Sequence, residues 1–577
     1  PYDGEPLYNL GLSLKYQGKT EEAYDFFYKA CWNAAWQDAG YYSLAQLSVA
    51  RGDWEEALYE IDKSLVRNWH NLRGRHLKAT ILRHLGRKED ALSLIEESLR
   101  MDRFNFGCGF EKFLLTGNDA DWQTLVSLMR PEAHNYEELA LDYASAGCWE
   151  EALDVVDKVI CMNVLGQTML HYYKSWFLIC LDRKEEALAA IREAERQTPD
   201  CCFPNALEAI LALQAVIDFA EETPKALYYL GNLWYDKRQY PEAIAAWETS
   251  MKQDATFPTV LRNLSLAYFN KLGKEEEAVR LLEKAFALDA TDARILMELD
   301  QLYKRLNRPH TERLAFLDKY KDVAFSRDDL YLEYLTLLNQ LGRYEEAIHM
   351  IDDRQFHPWE GGEGKVPAQY QLARVELVKR LLAEEKYTEA LSLIEECFVY
   401  PHNLGEGKLY GAQENDFNYY KACALRGVGK KAEAESLFLE ASVGNSQPAA
   451  AVYYNDQKPD KIFYQGLALR ELGREEEARS RFNNLISYGE KHLYDVFKMD
   501  YFAVSLPDLQ IWEDDMNKKN RIHCNYLMAL GHLGLGNEEK AMRYFNAAAE
   551  MDNNHQGVQI HRSQINNPLV KRRGSKT

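Results

Sequence analysis

The chain has 577 residues, 46% of them hydrophobic and 28% charged, with a formal net charge of −21. That length exceeds a single compact core, so several domains or a repeat array are expected. The excess of 90 acidic over 69 basic residues argues against nucleic acid or an anionic membrane as partner, and no run of 18 apolar residues offers a membrane span.

The chain opens at Pro1 and runs at once into a helical phrase, EPLYNLGLSLKYQG, with Tyr8, Leu10, Leu12 and Leu14 and no polar helix before them. A solenoid end normally carries a polar cap, so a preceding domain is expected to cover this one. Next come Gly18, Gly52 and Gly86 at intervals of 34 residues, in the phrases YQGKTEEA, ARGDWEEA and HLGRKEDA. A fixed period of this length marks a helix-turn-helix solenoid. Each phrase has one physical logic: Gly, Asn or Asp ends the first helix by entering the left-handed conformation, and acids open the second near its positive N-terminus. The alanine that follows (Ala23, Ala57, Ala91) lets two helices approach.

The phrase returns at Ala152, Ala187, Ala243, Ala278, Ala347, Ala390, Ala434, Ala478 and Ala541. The longer gaps predict a degenerate helix pair near 104–130, an extra helix near 204–221 and a worn repeat around Tyr303 and Phe316. The expected architecture is all-α: a right-handed superhelical solenoid of about twelve repeats. It is regular over 1–350 and carries long loops between repeats over 351–555, with a C-terminal cap and basic tail over 556–577.

The late loops are chemically distinctive. Gly-Glu-Gly-Lys occurs at 362–365 and again at 405–408, a separation equal to the local period. Equivalent positions in stacked helix pairs lie about 10 Å apart, so Glu363 and Lys365 are expected to face Glu406 and Lys408 along one rim. Acids and amides beside aromatics, as in sugar sites, add Trp359, Glu360, Glu414, Asp416 and Asp456 as ligand-binding candidates. Paired carboxylates also raise acid–base work on a glycosidic bond, although no pair separates itself into acid and nucleophile.

On Leu10-Gly11, Ala23, Phe27 and Ala30, and again on Leu230-Gly231, Trp234 and Ala243, the chain resembles the tetratricopeptide repeat, and Pro199 stands where that repeat often closes. HPWEGGEGK, NLGEGKLYGAQEND and DYFAVSLPDL also resemble a narrower bacterial family. In it, a β-sandwich domain similar to sugar mutarotases precedes a long repeat array. The resemblance implies a carbohydrate-related role, with that N-terminal domain as partner, and carries no catalytic residue to this chain.

In such arrays the first helix of each repeat lines the concave face. One inward position reads Tyr8, Tyr42, His76, Glu137, Tyr172 and Tyr228, so the four tyrosines suggest an aromatic groove for a peptide or glycan. Chaperone-binding members place lysine there and asparagine four residues later. Here tyrosine stands instead and only Asn232 matches, which argues against an acidic-tail clamp. Trp359 and Val366 break a phosphate-loop reading of Gly364-Lys365, and the chain has no His-Glu-x-x-His or Cys-x-x-Cys element, so neither metal nor cofactor is expected. Ten scattered cysteines fit reduced thiols in the cytoplasm. The leading reading is a scaffold whose late loops recognise a glycan or complete a composite site with the N-terminal domain. The alternatives are a peptide-binding module using the tyrosines, and a glycoside hydrolase.

Overall fold

The computed structural model describes residues 3–359, 361–450, 458–497 and 511–566. Among these residues are 31 α-helices, short 3-10 turns and no strand. Successive helices pair into a repeat solenoid. Among the described residues, no helix is long and apolar enough to cross a membrane.

The repeated phrase folds for the reasons its residues dictate. Gly18, Gly52 and Gly86 take φ of 74°, 79° and 72°. The next amide then reaches back five residues: Lys19 N–H to Leu14 O, Asp53 to Ser48 and Arg87 to Leu82, each at 2.9 Å. A Cβ at any of the three glycines would meet nothing within 4 Å, so glycine serves the dihedral and not the space. Later repeats hold the same conformation with Asp182 (φ 55°), Arg238 (60°), Asn307 (54°) and Glu385 (61°), each at a cost of about 1–2 kcal/mol. Other glycines serve close approach. A Cβ on Gly11 would sit 2.7 Å from the Phe27 ring, and one on Gly231 would sit 2.4 Å from Trp247. Ala23, Ala57, Ala91, Ala152, Ala187, Ala243 and Ala278 are all fully buried in the seams.

The chain divides into two compact units, Pro1–Val260 and Leu261–Thr577. This division falls inside the Pro258–Leu272 helix, whereas the long loops begin after the Tyr344–Asp352 helix, within the second unit. In the first unit, helices Phe106–Thr116 and Asp119–Met129 occupy the 104–130 interval, and Leu207–Phe219 stands in the 204–221 interval. Glu208 of that last helix accepts a 2.6 Å bond from the Tyr16 hydroxyl on the Gly4–Tyr16 helix, so the first unit's opening helix reaches across to this late one.

The second unit also closes on itself. Trp512, 1% exposed, lies edge-on to Phe269 at 5.2 Å and donates its indole N–H to Glu298 O at 3.1 Å. Asn270 brackets it, donating to Ile511 O and accepting from Glu513 N–H. Further along, the fully buried Arg313 holds Asp300 (2.7 Å), Glu333 (2.7 Å) and Asn554 Oδ1 (2.8 Å). Gln340 donates to Asn554 O at 2.8 Å, and Gln369 and Gln556 exchange amide bonds at 2.9 Å. The unit's last helices are thereby stitched to those near its start.

Candidate functional site

The two glycine loops of the second unit do meet. Asp328, at the start of the Asp328–Gln340 helix, fixes the first. It accepts from the Arg354 guanidinium at 2.6 Å and from His357 N–H at 2.9 Å. Burial alone would raise the Asp328 carboxyl, but these donors hold it below its ordinary value. The second loop is sewn to the first by Phe356 N–H to Asn403 O (2.8 Å) and by Asn403 Nδ2 to Ile351 O (2.8 Å). Gly405 then turns with φ 74°, so close that a Cβ there would lie 2.6 Å from Phe356 O.

This turn delivers Glu406 to the first motif. Its Oε2 accepts the Gly364 N–H at 2.7 Å, at the cap of the Lys365–Ala383 helix, where the helix dipole favours an anion. Between the loops lies a recess of about 280 Å³, walled by His357, Pro358, Trp359, Glu363, Leu404 and Glu406. The half-buried Trp359 ring packs over Gly362, where a Cβ would meet it at 2.3 Å. Glu363 is exposed on the rim.

The two Gly-Glu-Gly-Lys copies are not conformational equivalents. In the first, Gly364 is left-handed (φ 72°) and a helix begins at Lys365; in the second, Gly405 is left-handed and the next helix waits until Asn415. The expected facing of Lys365 and Lys408 therefore does not occur. Lys408 folds back to pair with Glu414 and donates to Phe398 O at 3.0 Å. Lys365 is exposed but ringed by charge: partial desolvation and the fields of Lys304 and Lys519 lower its pKa, against Glu333 and Glu363. Asp416 is not on the rim either; it is buried against Lys461. Glu360 and Asp456 lie outside the described residues.

The concave tyrosines part company. Tyr172 is fully buried, its hydroxyl bonded to Glu195 at 2.9 Å, and Tyr228 is 8% exposed against Phe257. Both rings belong to inter-repeat packing. Tyr8 is half-buried between Phe27 and Trp36, and Tyr42, also half-buried, accepts from Gln46 at 3.1 Å. Near them Arg73 pairs with Asp142 at 3.3 Å and Glu138 at 2.8 Å. Burial raises the Asp142 carboxyl to about 6 and that of Glu137 to about 7.

A second recess in the second unit escaped sequence reasoning. Inner faces of the Lys365–Ala383, Asn415–Gly427, Pro459–Glu471, Met516–Gly534 and Gln556–Ser563 helices enclose about 370 Å³. Lys379, Asp416 and Lys461, all buried, line it. These three stand on three separate helices, so no single phrase of the sequence records their meeting. Among the described residues no group of three or more His, Cys, Asp or Glu side chains is placed to hold a metal ion.

Comparison with known proteins agrees with the repeats. Family models described as tetratricopeptide repeat match residues 462–488 and 522–555. The chain carries tetratricopeptide repeats. It is a repeat scaffold, an architecture that presents extended binding surfaces. The TPR repeat-containing protein YpiA of Bacillus subtilis (strain 168) is 25% identical over 174 residues, which span 27% of this chain and 40% of YpiA. The chain thus spans less than half the length of that relative. A tetratricopeptide repeat protein from Parabacteroides merdae ATCC 43184 aligns with 52% of this chain and 99% of its own, at 15% identity and a TM-score of 0.24. YrrB, described as a TPR protein with an unusual peptide-binding site, aligns with 41% of this chain and 96% of its own, at 15% identity and a TM-score of 0.16. The repeat pattern itself, rather than these superpositions, establishes the architecture.

Proposed function

We propose that this scaffold recognises a glycan, free or carried by a partner protein, in the recess between the two glycine loops. The observation that carries this reading is the bond from Gly364 N–H to Glu406, which locks two consecutive inserted loops around one recess. The recess pairs an aromatic face, Trp359, with carboxylate acceptors for hydroxyl groups, Glu363 and the second oxygen of Glu406. Binding fits this geometry better than hydrolysis: Glu406 is engaged with the helix cap, and a glycosidase of the usual kind needs two working carboxylates. A carbohydrate-related N-terminal domain, implied by the family resemblance, is the natural partner for such a surface. A glycan array probed with the wild-type chain and with Trp359→Ala tests the reading. It expects a wild-type signal that the variant loses; no signal from the wild type, or one that survives the substitution, counts against it.

A second reading assigns a peptide to the inner face of the first unit. It is favoured by Tyr42 staying half-buried beside the Arg73–Asp142 pair, on the wall of a small cleft. Capture of a partner that Tyr42→Ala releases, with Trp359→Ala unaffected, supports this reading over the first.

A further inference from the structure

The inner cavity of the second unit is a separate site from the glycine-loop recess, and its chemistry points to a different ligand. We propose that it binds a free α-amino acid with an apolar side chain, held as the zwitterion.

Gln556, on the cavity wall, exchanges amide bonds with Gln369 and so ties two of the surrounding helices together, and a space of about 370 Å³ suits a compact ligand better than an extended chain. Its charge is balanced. Lys379, 6% exposed, lies 2.5 Å from Glu376, and Lys461, 8% exposed, pairs with Asp416. An ammonium group has three donors, and a carboxylate accepts several bonds. Both pairs therefore keep capacity, the lysines for a ligand carboxylate and the acids for a ligand ammonium. A singly charged ligand would upset this balance in a poorly solvated space; a zwitterion preserves it.

His561 offers a place for the ammonium. The residue lines the cavity and is 3% exposed. Its Nδ1 lies 2.8 Å from Gly557 O, a contact that requires the proton on that nitrogen. Nε2 is then a bare acceptor; it is closed off from solvent and, among the described residues, has no hydrogen-bond partner. Burial lowers the His561 pKa to about 3, so the ring does not satisfy that position by taking up a second proton. A ligand N–H that reaches this edge of the ring satisfies it. Leu372, Val375, Phe417 and Ile560 supply the apolar wall for a side chain.

Isothermal titration of the full chain with L-leucine, isopentylamine and isocaproate tests the assignment. The last two keep the side chain but lack the carboxylate and the amine, respectively. L-leucine is expected to bind saturably, with both truncated probes at least about tenfold weaker. Ile560→Trp, which fills the cavity, is expected to abolish binding, and His561→Phe to weaken it at least about tenfold with helicity unchanged. Three results overturn the proposal: no binding by any standard L-amino acid, equal binding by a truncated probe, or full leucine binding by Ile560→Trp. Because the truncated probes are titrated into the wild-type chain, the outcome does not depend on how the variants fold.

Discussion

Replacing Trp512 with alanine tests whether the second unit is a closed turn. The indole is 1% exposed, packs on Phe269 and donates to Glu298 O. Truncating a buried large aromatic costs about 3–5 kcal/mol, and the lost hydrogen bond lies within that range. Taking about 4 kcal/mol, at a factor of ten for each 1.4 kcal/mol, the equilibrium for opening this contact shifts by about 10³. The ties at Asn554 and Gln556 lie further along the chain and are not removed. The expected response is therefore local: hydrogen exchange accelerates by up to about 10³ in the Pro258–Leu272 and Ala293–Arg305 helices, and far less in Gln37–Ala50 of the first unit. Mass spectrometry of exchanged peptides reads this directly. Acceleration below about tenfold would mean that Trp512 does not hold the turn closed.

Other substitutions test other links. Gly405→Ala forces a left-handed alanine whose Cβ meets Phe356 O at 2.6 Å; it should cost about 2 kcal/mol or more and abolish ligand binding at the recess, read by urea unfolding and titration. Tyr172→Ala empties a fully buried site and should cost about 3–5 kcal/mol, whereas Tyr42→Ala should cost much less; equal thermal shifts would contradict the packing described. Glu137 gives a pH signature. Its ordinary pKa of 4.5 is raised by burial to about 7 in the fold, so the unfolded chain ionises first and stability falls as pH rises from about 4.5 to about 7. At 1.36 kcal/mol per unit the swing is of order 3 kcal/mol. Glu137→Gln should remove that part of the slope in urea melts at pH 5 and pH 8, and an unaltered slope would refute the assignment.

The repeat architecture was legible because its determinants are local. A left-handed residue, two acids and an alanine recur in one phrase, and each acts within a turn of helix. Even there, Arg238 and Glu385 hold the left-handed position without the glycine, asparagine or aspartate expected of it. The late loops were harder to read because one tetrapeptide adopts two conformations. Whether Gly364 or Gly405 takes positive φ depends on the contact of Gly405 with Phe356 O and on where the next helix begins, and no local pattern records either. The tyrosine stripe shared one register position, but the burial of Tyr172 follows from its bond to Glu195, a contact between helices. The inner cavity depends on the Gln369–Gln556 bond between residues 187 apart, which periodicity does not signal.

The recess between the glycine loops is tested most directly by watching its aromatic wall. The chain has 11 tryptophans, so ¹⁵N-tryptophan labelling gives a small set of indole signals, and Trp359→Phe assigns the one that matters. Titration with the sugars identified on an array should move the Trp359 signal saturably and leave the remainder in place. A Trp359 signal that stays fixed while ligand binds elsewhere, or a labelled chain that binds no sugar, would contradict the account.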